Sequence, residues 1–131
     1  MRRYVSRFQR LKTYDAARRF SRIICRLEKS IPDEMADVRE MLLRHLFMIA
    51  TKIARGTYEI SRADARSTFR ISSRSAETCE SLIQRLQLAG IGQPNDLTEA
   101  LEAVAEVQAG LKEILARIDA GLAQREVFRD L

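Results

Sequence analysis

The chain has no tryptophan, one histidine, two cysteines, two prolines and five glycines in 131 residues. So few turn formers exclude a β-sandwich or barrel, which needs a turn roughly every 8–12 residues. Cys25 and Cys79 stand alone with no CxxC spacing, which excludes a disulfide scaffold and a classical zinc module. No apolar run approaches the ~20 uncharged residues that crossing a bilayer takes. No glycine-rich phosphate loop is present. What is there is the composition of one globular domain, 46% apolar and 31% charged, long enough to bury a single core.

Charge is unevenly spread. The net charge is +5, but residues 1–30 alone carry +8 and residues 93–131 carry −4. A basic front and an acidic rear attract polyanions, or the opposite end of another copy. The first 14 residues are Arg-rich and acid-free, yet they lead into a helix with no apolar h-region or cleavage site. A transit peptide is therefore not expected, and the two cysteines read as reduced, buried thiols of a cytoplasmic protein.

Apolar periodicity predicts four helices, at about 12–29, 33–55, 62–89 and 97–120, with a basic arm at 1–11 and a tail at 122–131. In the first, Ala16, Phe20, Ile23, Ile24, Leu27 and Ile31 share one face, and Arg18, Arg22, Arg26 and Lys29 lie opposite. Pro32 ends it. In the second, Val38, Leu42, Leu46, Ile49 and Ile53 form the stripe and Gly56 the stop. The third opens on a box-like Ser61–Asp64 pair. It carries Ala65, Phe69, Ser72, Ala76, Cys79, Ile83 and Leu86, a seam whose middle is small, before Gly90 and Gly92 close it. Pro94 marks the next loop. The fourth opens on Asp96 and Glu99 and carries Leu97, Leu101, Val104, Leu111, Leu115, Ile118 and Leu122, with Gly121 as its stop. Gly110 in its interior signals close packing or a local weakness. Short connections make consecutive helices antiparallel, so the expected fold is all-α, an up-down-up-down four-helix bundle.

The second helix is apolar on too many sides. Leu43, Phe47, Ala50 and Ala54 point away from its core stripe. A helix apolar all round is buried all round, so these four predict an oligomer interface unless a neighbouring helix or the tail covers them.

The motifs in order resemble a known family. Phe8, Leu11, Tyr14, Ala17 and Phe20 resemble its opening F-x-x-L-x-x-W/Y-x-x-A-x-x-L. Ile31-Pro32 resembles its F-P, and Arg44 stands where it has an R-R-A segment. Lys52-Ile53-Ala54-Arg55-Gly56 resembles its N-I-A-E-G, differing at Lys52 and Arg55. Ser72-Ser73-Arg74-Ser75 leading to Glu77 resembles its A-x-G-S segment. This is the bacterial four-helix-bundle family found in intervening sequences of 23S rRNA genes, to which the accessory variability determinants of diversity-generating retroelements are similar. The resemblance implies an antiparallel bundle assembled as a homo-pentameric ring. It implies no catalytic residues, and nucleic-acid binding chiefly on the retroelement side.

Enzyme chemistry finds little footing. A carboxylate-bridged di-metal bundle needs Glu-x-x-His pairs, and His45 follows Met41, Leu42, Leu43 and Arg44. No metal or other cofactor is expected, and His45 reads as a histidine packed between helices. A dicarboxylate pocket needs arginines turned inward, whereas those of the first helix face out. Ser72, Ser73 and Ser75 have no evident base. The remaining signal is a cationic stripe, Arg18, Arg19, Arg22, Arg26 and Lys29, preceded by Arg2, Arg3, Arg7 and Arg10. It fits a surface that tracks phosphates, an ordinary solvated face, or salt bridges to the acidic fourth helix of a neighbour. No aromatics interleave with it, so any nucleic-acid contact is backbone-directed. The expected function is a non-enzymatic, self-assembling scaffold or adaptor that binds RNA or DNA, with no membrane and no small-molecule substrate. The alternative is a structural oligomer or protein-interaction module without nucleic acid.

Overall fold

A computed structural model describes the backbone of residues 7–59 and 61–129, and the side-chain surroundings of residues 12–59 and 61–121. It contains four α-helices: α1 (Arg7–Leu27), α2 (Ala36–Gly56), α3 (Arg62–Leu88) and α4 (Pro94–Arg129). Two short 3-10 turns, Glu28–Ser30 and Asp33–Met35, flank Pro32 between α1 and α2. None of the described helices is long and apolar enough to cross a membrane.

Cross-helix contacts set the directions. Arg19 meets Glu106 and Arg26 meets Glu99, so advancing along α1 means retreating along α4. Ser72 meets Ile49, and Cys79 meets Leu42, so α2 and α3 are antiparallel. Arg66 meets Asp119 while Arg62 lies against Gly121, so α3 and α4 are antiparallel too. The bundle is therefore up-down-up-down, as the short connections require. α2 packs on α3, α3 on α4 and α4 on α1, while the α1–α2 seam is the sparsest of the four.

The expected stripes of α1, α2 and α3 are buried in full, with Phe20 and Phe69 wholly enclosed. Each enclosed phenyl ring contributes about 1.5–3 kcal/mol over its exposed state. The fourth stripe is broader than its spacing implied. Ala100, Ala103, Val107 and Ile114 join Leu97, Val104, Leu111 and Ile118 in the core, and Leu101 and Leu115 are half-buried.

The helix ends correct several expectations. α1 starts at Arg7 rather than Lys12, so half of the expected arm is helical, and its last turn tightens to 3-10 geometry before Pro32. Ser61 Oγ accepts the Asp64 amide at 3.0 Å, which caps α3 as the sequence implied. At the other end, Gly90 has φ 68° and donates to the Gln87 carbonyl, while Ile91 donates to that of Leu86. This is a Schellman stop, with half-buried Ile91 as its apolar anchor. Pro94 does not mark a loop; it is the first residue of α4, where its missing N–H costs nothing. Gly121 does not end α4. It leaves room for the Arg62 guanidinium, which occupies the space a side chain would need. Gly110 serves close packing in the same way, with Thr13 of α1 against it.

One core assignment fails. Cys79 is buried, but Cys25 is exposed. At roughly 100° per residue, Cys25 falls opposite Ala16, on the arginine side of α1.

Candidate nucleic-acid and assembly surfaces

The cationic stripe of α1 divides into two sets. Arg19 Nη1 reaches Glu106 Oε1 at 3.1 Å. Arg26 Nη2 reaches Glu99 Oε2 at 2.9 Å and Asp96 Oδ1 at 3.3 Å. The acidic face of α4 thus takes two of the five cations within one chain, where the sequence had suggested a neighbouring copy. Asp96 and Glu99, read as a helix start, act as this clamp. Their spacing held the signal: Asp96, Glu99 and Glu106 recur on one side of α4, as Arg19, Arg22 and Arg26 do on α1. All these groups are partly solvated, so each pair is worth about 0–1 kcal/mol.

Arg18, Arg22 and Lys29 form the second set. They are exposed and make no ion pair among the described residues. Arg18 and Arg22 lie one turn apart on α1, about 6 Å along its axis, and Lys29 follows in the 3-10 turn beyond its end. Arg2 and Arg3, and the side chains of Arg7 and Arg10, lie outside the described residues. Four further exposed arginines make no ion pair among the described residues and were not read as part of a cationic surface: Arg44 on α2, and Arg70, Arg74 and Arg85 on α3. All four lie in the half of the chain whose charges nearly cancel in sum, which concealed them.

The second apolar face of α2 is partly used at home. Leu43 and Ala50 are half-buried, Leu43 against the core. Phe47 is 69% exposed, Ala54 is exposed, and Tyr58, just past the helix, is 61% exposed. The four expected interface residues therefore share one face, and within this chain that face is only half covered.

The α2–α3 seam carries its own polar chemistry. Ser72 donates to the Ile49 carbonyl at 3.0 Å, and His45 Nδ1 lies 3.2 Å from Ser75 Oγ. A histidine therefore does stand beside Ser75, contrary to the sequence reading. The pair lacks the rest of a nucleophilic site. Ser75 is buried in mid-helix, where backbone amides bond their own helix and none is left to form an oxyanion hole. No carboxylate orients His45 among the described residues. Cys79 lies 4.0 Å from the Leu42 carbonyl, and burial pushes its thiol up from 9.0 to about 12.

An open cleft of about 510 Å³ separates the outer edges of α1 and α4. Lys12, Arg19 and Arg22 line it together with Asp15 of the same helix and Glu106 and Glu113 of α4, so it favours neither charge sign. No cluster of His, Cys, Asp or Glu among the described residues is arranged to hold a metal ion. Neither a scan of protein-family models nor a search of curated proteins returns a match to this chain.

Proposed function

We propose that the protein is a non-enzymatic helical scaffold or adaptor that self-assembles in the cytoplasm and binds RNA or DNA through the outer face of α1. The observation that carries this is the set Arg18, Arg22 and Lys29, exposed in a row with no carboxylate partner among the described residues. Unpaired cations release the counterions of a nucleic acid when they meet its phosphates; paired ones must first give up a partner. Arginine, with its planar fork, suits phosphate oxygens. The absence of stacking aromatics makes the contact one of backbone and charge, without sequence preference. Assembly repeats the stripe on every copy, and weak contacts then add through effective concentration. The family resemblance supports the assembly half of this reading and implies a pentameric ring.

A second reading has its own support. Arg19 and Arg26 are engaged by α4, and the uncovered Phe47 asks for protein rather than nucleic acid. On that reading the protein is a structural oligomer alone.

Reversing Arg18, Arg22 and Lys29 to Glu separates the two. It spares the core and takes the net charge from +5 to −1. Wild type should shift a nucleic-acid duplex in a gel with a steep negative salt slope, each phosphate contact adding roughly 0.7–0.9 to its magnitude. The variant should lose binding to every sequence while still assembling. Wild type that binds nothing at low salt leaves the structural oligomer.

A further inference from the structure

On the reading that the protein self-assembles, we infer that the apolar face of α2 docks on the outer face of α4 of a second copy, making a head-to-tail contact. Two faces that the described residues leave at least half uncovered carry this. On α2 the face is large and protruding, with Phe47 exposed beside Leu43 and Ala54. On α4, Ala105, Ala109, Ala116 and Ala120 are all exposed and fall within about 60° of one another on the helix wheel. Large side chains on one surface and methyl groups on the other let two helices approach with the phenyl ring seated between alanines.

Charge favours the same pairing and disfavours α2 against α2. α2 bears Arg39, Arg44, Lys52 and Arg55 against Asp37 and Glu40, a net +2. From Pro94 to Gly121, α4 bears Asp96, Glu99, Glu102, Glu106, Glu113 and Asp119 against Lys112 and Arg117, a net −4. Three of those acids are engaged with α1, but Glu102 makes no ion pair among the described residues and stands beside the alanines. Two α2 helices brought together would oppose like net charges. An α2 face on an α4 face opposes unlike net charges, which favours this partner. Because the two faces differ and each copy owns one of each, the contact propagates; it closes into a ring when the rotation between copies allows.

The test uses two single variants of the full chain, Phe47→Asp and Ala109→Arg. Both positions are exposed, so helical circular dichroism should stay at the wild-type level. Each variant alone should self-associate at least about 30-fold more weakly than wild type, the loss expected for a central anchor residue. Mixed in equal amounts, they should form a two-chain complex and stop there. The intact α2 face of Ala109→Arg meets the intact α4 face of Phe47→Asp, and the other two faces are blocked. Sedimentation reads all three samples. If wild type assembles and Ala109→Arg assembles equally well, α4 is not the partner; self-assembly stands and this pairing falls. The same holds if the two variants fail to combine. A wild type monomeric at roughly 100 µM would mean that association is weak or that the chain's own tail covers α2, and would remove self-assembly and this contact together.

Discussion

The α2–α3 seam and the α1–α4 seam hold the same bundle by opposite means. Between α2 and α3 the contact is dry and fine-grained. Ser72, Ala76 and Cys79 are small and buried, Ser72 donates to a backbone carbonyl of α2, and Ser75 bonds His45. Between α1 and α4 the polar contacts sit at the rim, as Arg19 and Arg26 reach over the core to carboxylates in water. Screening by salt acts on the second seam and hardly on the first. A cation in an exposed pair adds little stability, whereas Ser72, Ala76 and Cys79 of the α2–α3 seam are committed to packing.

The largest contrast should appear in thiol chemistry. Burial raises the Cys79 thiol to about 12, which cuts its thiolate roughly a thousand-fold at neutral pH relative to a thiol at 9.0. Cys25 should react with a thiol reagent in the native protein, and Cys79 only after denaturation, as mass spectrometry of the labelled protein would read. Linkage has a sign here. Between pH 9 and about 12 the unfolded chain has released the Cys79 proton and the folded chain has kept it. Stability should therefore fall as pH rises through that window, and Cys79→Ala should remove that part of the slope in denaturant titrations.

Next in size is the packing of the dry seam itself. Ser72→Leu adds volume where α2 and α3 approach closely, and should cost about 1–3 kcal/mol in urea unfolding. Smallest is the rim. Arg26→Ala should cost no more than about 1 kcal/mol, and the cost should fade in molar salt. If Arg26→Ala proves the worse of the two, the division between seams is wrong.

How much of this could be read from the sequence depends on the range of the interaction. The core stripes of α1, α2 and α3 were legible because burial imprints a local period. So was the α3 cap, since Ser61 and Asp64 are three residues apart. The ion pairs were not, because Arg26 and Asp96 are 70 residues apart and no period links them. Gly110 and Gly121 misled for a related reason. A glycine inside a helix and one ending it look alike until the side chain packed against it, Thr13 or Arg62, is known. Pro94 had two meanings, loop or first helical turn, and only the Schellman stop at Gly90 and Ile91 decides between them. Cys25 was legible but misread, as its place on the wheel beside the arginines already put it outside. Of the two surfaces, the α2 face was visible as excess hydrophobicity. The separation of Arg18, Arg22 and Lys29 from Arg19 and Arg26 needed α4 in position.

The sparse seam between α1 and α2 gives the fold an edge along which it can come apart in part. Freeing α1 there breaks solvated ion pairs and one good helix contact, whereas freeing α3 breaks two. Local opening follows the boundary that gives up least, and the remaining helices can keep their mutual packing while it happens. Backbone amides of α1 should then exchange with deuterium faster than those of α3, as a block rather than residue by residue. The helix that presents the unpaired cations is also the one the bundle holds least firmly, so a polyanion laid along α1 would slow that exchange by occupying its outer face.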